Sequence, residues 1–497
     1  MRSVLAIDQG TTGTTCLVIN ERGDVVGRAY SEFGQHFPRA GWVEHDAAEI
    51  WEVTLRTARR AVATAELEPS AIGITNQRET VVVWDRATGE PVHRAIVWQD
   101  RRTAERCRAL KAEGREEWIR ARTGLVLDPY FSATKLEWLL REVPGLRERA
   151  EAGELAAGTI DSWLIWKLTG GQVHATDPTN ASRTLLYNID RLDWDDELLD
   201  LFGVPRALLP EVRPSSGDFG RTDASLFGRP IPVAGVAGDQ QAALFGQGCW
   251  APRLAKNTYG TGAFLLLNTG SRRIDSARGL LTTVACDAAG GPAYALEGSI
   301  FIAGAAVQWL RDALGIIVQA PESEALARSL ESNDGVYFVP AFVGLGAPHW
   351  DPDARGTIVG LTRGTGKAHL ARAALEAMAY ATRDVLEAME ADSGVEAVEL
   401  AVDGGAALND WLMQFQADVI GRPVRRPAMV ETTALGAAGL AGLATGIWPD
   451  AEAFRGAQSE PARFAPAMED AARASLVAGW QRAIAATRAW SAHTGGA

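Results

Sequence analysis

The sequence predicts an α/β protein of two large domains that meet along a cleft, and three observations carry that expectation. A chain of 497 residues exceeds what one hydrophobic core usually supports. Strand-like and helix-like stretches alternate through its first half, which is the pattern of an α/β domain. A glycine- and threonine-rich turn between two apolar runs, LAIDQGTTGTTCLVI at 5–19, is echoed in chemistry by KNTYGTGAFLLLNTG at 256–270. Such an echo marks an internal repeat.

In chain order, residues 4–19 read as strand, turn and strand, followed by a strand at 24–30, a helix over 47–65 and a strand at 71–75. VVVWD (81–85) and IVWQD (96–100) read as strands around an ATGE turn, and 101–113 and 132–141 have helical periodicity. Past the second hairpin come a helix near 304–314, a loop over 339–356, a long helix over 367–392 and the strand ELAVDGG (399–405). ALGAAGLAGLATGIW (434–448) is too short to span a bilayer comfortably, and its small residues predict a helix packed closely on a neighbour. The boundary falls near 248–255, giving domains of 1–250 and 251–497. No low-complexity linker separates them, so they are expected to touch.

With 47% hydrophobic and 22% charged residues the composition is that of an ordinary globular protein. A net charge of −13 without a long Lys/Arg run argues against nucleic acid or an anionic membrane as the main partner. An anionic substrate then needs a local device, such as backbone amides or a metal. Four cysteines, at 16, 107, 249 and 286, show neither a CxxC nor a zinc-ligand spacing, which fits a reducing cytoplasm. The start MRSVLAIDQG reaches an acidic residue too early to be the apolar core of a signal peptide.

Glycine and threonine at a hairpin turn leave backbone N–H groups and hydroxyls uncovered, and such a nest binds phosphate oxygens without basic side chains. A carboxylate cannot itself face a phosphate. Magnesium held by Asp8, directly or through water, resolves the conflict; the plainer alternative is a turn in which Asp8 only bonds locally. VDGGAALNDWLMQ (402–414) ends a strand in Gly404 and Gly405 ahead of a helix, where a flat ring or phosphate can approach the backbone, although such a pair more often serves packing. No GxxxxGK[ST] loop occurs. In VAGDQQAALFGQ (236–247) a strand delivers Asp239, followed by Gln240 and Gln241, to the start of a helix. An Asp there ordinarily caps the helix, and its functional reading is a general base for a substrate hydroxyl. GITNQRET (73–80) runs from a strand into Arg78 and Glu79, whose ordinary reading is a solvated pair.

Together with DQGTT (8–12), GWVEHD (41–46), AIVWQDRRTAE (95–105), TGLVLDPYFSATK (123–135), DPTNASRTLLYN (177–188), YALEGSIFIAGAAVQWLRD (294–312) and GLGAPHWDPDARG (344–356), these segments resemble the FGGY carbohydrate kinase family. That family lies within the actin/sugar kinase/Hsp70 ATPase superfamily, and the match runs nearly end to end. Within it the chain is similar to the branch that phosphorylates glycerol rather than pentuloses or gluconate.

The resemblance implies two duplicated RNase-H-like, actin-like ATPase domains around a central cleft. It implies ATP and Mg2+ as cofactors and a terminal hydroxyl of glycerol as acceptor. The products would be sn-glycerol 3-phosphate and ADP, in the first step of glycerol degradation, and the enzyme a homo-oligomer of two or four copies. By position, glycerol contacts fall on Arg78, Glu79, Tyr130, Asp239 and Gln240, with Trp98 and Phe264 as apolar walls. Nucleotide contacts fall on Thr11, Thr12, Gly13, Thr261, Gly304 and Gln308, with Gly405 and Asn409 beside the purine. Asp239 carries over as the catalytic base, and Asp8 and Asp239 as the magnesium ligands.

The pattern departs from the family once. Members usually follow DQGTT with two hydroxyl residues and an arginine, whereas Gly13, Thr14 and Thr15 stand here, so that either Thr14 and the backbone take the arginine's phosphate contact or ATP binds more weakly. The rival readings are a kinase of the same family for another polyol, and an ATP-driven conformational protein with no acceptor.

Overall fold

The computed structural model describes residues 1–492; residues 493–497, the end of the expected second domain, lie outside them. Three strands open the chain, β1 (Ser3–Gln9), β2 (Gly13–Asn20) and β3 (Val25–Glu32). Val4, Leu5, Ala6 and Ile7 are all fully buried, so β1 is apolar on both faces, as a central strand must be. Helix α1 (Ala47–Ala65) covers one face and starts where Asp46 accepts from the Ala48 and Glu49 amides. The strands β4 (Ala71–Asn76) and β5 (Val233–Gly238) complete a sheet ordered β5-β4-β1-β2-β3. Its first three strands are an antiparallel meander, and β4 and β5 run parallel to β1. Helix α2 (Asp239–Gly246) leaves β5 directly.

The second half repeats this plan. β6 (Leu254–Tyr259), β7 (Ala263–Gly270), β8 (Leu281–Cys286), β9 (Pro292–Ile300), β10 (Glu399–Gly404), β11 (Val424–Arg426) and β12 (Ala462–Phe464) form a sheet ordered β8-β9-β7-β6-β10-β11-β12. Its inner five strands carry the same sequence of senses as the first sheet, with β6, β7 and β9 antiparallel and β10 and β11 parallel to β6. The chemical echo between the two hairpins is therefore a duplication of topology. Helices α3 (Gly304–Asp312) and α4 (Lys367–Ser393) follow β9, and α5 (Asp410–Ile420) follows β10.

One expected strand is mostly a turn. In IVWQD only Ile96, with Ala95 before it, pairs as strand. The chain then bends because the Asp100 carboxylate accepts from the Val43 amide at 2.7 Å and the Arg102 amide at 2.9 Å. Trp98 sits in that bend, its amide donating to Thr80 Oγ1.

Helix α6 (Thr432–Ala444) is the alanine- and glycine-rich segment, and it packs on the first sheet although it belongs to the second half of the chain. A Cβ on Gly436 would fall on the Ala242 carbonyl of α2, and one on Gly73 or Gly235 would fall on the α6 backbone. Among the described residues no helix is long and apolar enough to cross a membrane. Gly436→Ala should therefore destabilise. It gains about 1 kcal/mol of helix propensity but must displace backbone, at roughly 1–3 kcal/mol or more for overpacking. Urea unfolding measures this, and a stabilised variant would show that the helix pair relaxes freely.

Candidate active site

Both hairpins present uncovered tips. In the first, the Gly10 amide donates to the Gly13 carbonyl at 3.0 Å, leaving Thr11 and Thr12 at the turn. Thr11 is pinned: its hydroxyl accepts from Trp98 Nε1 at 2.9 Å and its carbonyl from Gln35 Nε2 at 2.9 Å. Thr12 is exposed. Gly13 leaves no room for a side chain, since a Cβ would lie 2.7 Å from the Ser31 carbonyl. Thr14 does not take over the missing arginine's contact. Its buried hydroxyl is 3.2 Å from that of Thr54 on α1, on the inner side of the strand. The backbone amides and the exposed Thr12 remain there.

In the second hairpin the Gly260 amide donates to the Gly262 carbonyl at 2.8 Å, with Thr261 exposed at the tip. The start of α3 docks on it through Ala303 and Ala305 amides to the Thr261 carbonyl and the Gly304 amide to the Gly260 carbonyl. Gln308 is exposed one turn further along α3. Gly404, at φ 84°, presses against the Tyr259 carbonyl and leaves Gly405 facing open space. Asn409 caps α5 by accepting from the Leu412 amide at 2.9 Å.

Arg78 and Glu79 follow β4 and are not a solvated pair. They are 2% and 1% exposed. Arg78 donates through both terminal nitrogens to Glu297 of β9, at 2.6 and 3.1 Å, and its Nε lies 3.2 Å from Asp239 Oδ1. Arg183 donates to Glu79 at 2.7 Å and to Glu297 at 2.9 Å. Two guanidiniums and two carboxylates thus alternate, joining both halves of the chain. Burial would raise the Glu297 carboxyl, but Arg183 and Arg78 hold it down at about 2. Glu79 is raised by its burial in spite of the same two cations.

Asp239 is not the helix cap. Gly238 holds that position, and the Asp239 carboxylate accepts from the next amide, Gln240, at 2.7 Å. Its side chain keeps 32% exposure, and burial nevertheless lifts its carboxyl above the ordinary range against the pull of Arg78. The Tyr130 ring meets Trp98 edge-on at 5.4 Å. Buried Lys135 holds the Tyr130 turn by donating to the carbonyls of Pro129, Tyr130 and Phe131. Phe264 is paired in register with Thr258 and Ser299 on the second sheet. Gln240 accepts from Lys256.

Arg183, Glu297 and Lys256 were missed as individual site residues. The available signal was a lysine and a glutamate inside the apolar strands LAKNTY and YALEGS, since such residues are rarely buried without a partner. Glu297→Gln should lower stability by about 3–5 kcal/mol, because it strips two buried arginines of their shared carboxylate. Urea unfolding tests this; a loss below about 1 kcal/mol would show that Arg78 and Arg183 find other partners.

Three cations, Arg78, Arg183 and Lys256, here face five carboxylates, those of Asp8, Glu79, Asp239, Glu297 and Asp403. Burial and the like charges of Asp239 and Glu431 raise Asp8 to about 7. That surplus of negative charge suits a divalent cation. Among the described residues no group of three His, Cys, Asp or Glu could hold one alone. The donor set fits magnesium, which keeps waters and shares its coordination with substrate phosphates.

The profile of the FGGY family of carbohydrate kinases, N-terminal domain, matches residues 3–246, and that of the C-terminal domain matches residues 255–445. Over 493 residues, 99% of each chain, the sequence is 57% identical to glycerol kinase 2 of Thermotoga maritima. It is 58% identical over 490 residues to glycerol kinase of Deinococcus radiodurans, covering 98% of each chain. The fold superposes with a TM-score of 0.93 on the solved structure of Plasmodium falciparum glycerol kinase with ADP, at 36% identity and 98% coverage of each chain.

Proposed function

The chain belongs to the FGGY family of carbohydrate kinases, and from that premise we propose that its cleft carries the γ-phosphoryl group of ATP to a terminal hydroxyl of glycerol. The products are sn-glycerol 3-phosphate and ADP. The observation that carries this reading is Asp239, a partly exposed carboxylate next to Gln240 and 3.2 Å from Arg78, whose Nε also lies 3.7 Å from the buried Glu79.

A triol offers three hydroxyls on a short carbon chain, so carboxylate, guanidinium, phenol and amide groups can serve its oxygens while aromatic faces cover its carbons. Arg78, Glu79, Tyr130, Asp239 and Gln240 take the first task, and Trp98 and Phe264 the second. Asp239 in its ionised form, which Arg78 favours and burial opposes, removes the hydroxyl proton as the oxygen attacks phosphorus in line. Amides at Thr11, Thr12, Gly13 and Thr261 receive the phosphate oxygens, and Gly304, Gln308, Gly405 and Asn409 line the nucleoside. Asp8 and Asp239 would hold magnesium, which when bound offsets phosphate charge. In this reading residues 1–250 supply the polyol corner and 251–497 the purine shelf. Closure of the two halves excludes water; an open cleft would let water take the phosphoryl group and hydrolyse ATP. A cytoplasmic setting suits the four cysteines, all buried and unpaired, and sedimentation reads the expected dimer or tetramer.

A coupled ADP-release assay with and without glycerol tests the activity. ADP release that requires glycerol supports it. Release indifferent to glycerol would favour the conformational ATPase, and equal rates with other polyols a different acceptor.

A further inference from the structure

We propose that Lys256 is a positioning residue that turns the amide of Gln240 so that its NH2 group, and not its oxygen, faces the acceptor. The inference rests on Gln240 lining the glycerol pocket, as read above. It goes further by assigning the chemistry of that contact: at this point the pocket reads a lone pair on the substrate.

Lys256 lies on β6 and is fully buried. It is in register with Leu266, which is in register with Glu297, and side chains paired across antiparallel strands point to one face. Lys256 therefore shares a face with Glu297, with Leu266 between them, on the surface that meets the first half of the chain. Its ammonium donates to Gln240 Oε1 and, at 2.8 Å, to Thr258 Oγ1. An ammonium has donors only, so it selects the amide oxygen and leaves the nitrogen pointing elsewhere. Burial pulls this ammonium down to about 8, with Asp403 and Asp239 pulling the other way, so at neutral pH it remains a donor. Among the described residues the Gln240 side chain makes no hydrogen bond through Nε2, and its backbone amide is spent on Asp239. One end of the amide is held and the other is free.

Without Lys256 the amide can turn over and offer an acceptor where a donor is needed. The pair also crosses between the halves of the chain, from β6 to α2, so this donor is set only when both are in place.

The test is steady-state kinetics of Lys256→Met, Gln240→Ala and the double variant, with ADP binding as the check on folding. Each single change should raise the glycerol KM roughly tenfold, the upper end of the scale for one neutral hydrogen bond, with the ATP KM within about twofold. The double variant should be no worse than the poorer single one, because Lys256 acts through Gln240. Effects that multiply, or an ATP KM that moves in step, would mean a merely structural lysine and overturn the proposal. If Gln240→Ala is costly and Lys256→Met is silent, the clamp falls and the pocket stands. If Gln240→Ala is itself silent, both fall. Gln240→Glu keeps a partner for Lys256 and so guards against misfolding of Lys256→Met. It offers the substrate only an acceptor and should raise the glycerol KM at least as much as Gln240→Ala. A near-wild-type KM would show the amide oxygen facing glycerol and overturn the proposal.

Discussion

Replacing Asp239 by Asn should lower kcat by roughly two to four orders of magnitude, the range for a lost general base, while ADP binding survives. Asn keeps an oxygen for the Gln240 amide, so the local backbone has no reason to move. What it loses is the capacity to take a proton. The proposed nucleotide contacts lie on other elements, the two hairpins and the starts of α3 and α5, and should not feel the change. Because burial raises the Asp239 carboxyl, its protonation begins closer to neutrality than for a free carboxylate. The base works only when ionised, so activity should fall as pH drops through that raised value, and the part of this acid limb that belongs to Asp239 should be lost in the variant, leaving that of Asp8. A larger loss than four orders would fit a second role in holding magnesium. Near-wild-type turnover in the coupled assay would remove Asp239 from the mechanism.

The hairpins were legible because their signals are local. Gly and Thr between two apolar runs need no distant partner to specify a turn, and α1 showed its span, 47–65, through its period alone. The burial of Arg78 and Glu79 was not legible from their own neighbourhood. It depends on Arg183, 104 residues from Glu79, and on Glu297, 219 residues from Arg78. A charged pair after a strand looks the same whether it ends in water or beneath another domain. Asp239 was ambiguous for a related reason, since cap and base share one position at the start of a helix. That Asp239 is not the cap follows from where the Gly238 backbone enters and from Arg78 claiming the carboxylate; its role as base belongs to the proposal. Of the two outcomes expected at the first hairpin, compensation by the Thr14 side chain is removed by strand parity. One residue along β2 reverses which face a side chain takes, and its hydroxyl met Thr54 instead of the cleft.

Propane-1,2-diol should be a far poorer substrate than glycerol, by roughly 10³-fold or more in kcat/KM. The reason is the set of groups left behind. Arg78 and Glu79 are almost wholly buried, and their mutual network with Arg183 and Glu297 already uses most of their capacity. In the proposed pose the capacity that remains serves the acceptor, and water is excluded once it is seated. A diol that lacks one hydroxyl leaves a donor or acceptor there with no partner, at about 1–3 kcal/mol for a neutral group and more for a charged one. Adding a methyl face to Trp98 or Phe264 recovers little, since one apolar group is worth only about 1–3 kcal/mol even when it fits. Discrimination by polar groups therefore dominates discrimination by shape. Glu79→Gln should weaken glycerol use more than ATP binding, since it removes a charged acceptor from the polyol corner alone. Comparable kcat/KM for the diol and the triol would sink the role proposed for the Arg78–Glu79 pair. It would leave the buried network as a brace between the two halves of the chain and move recognition of the acceptor to Tyr130, Asp239 and Gln240.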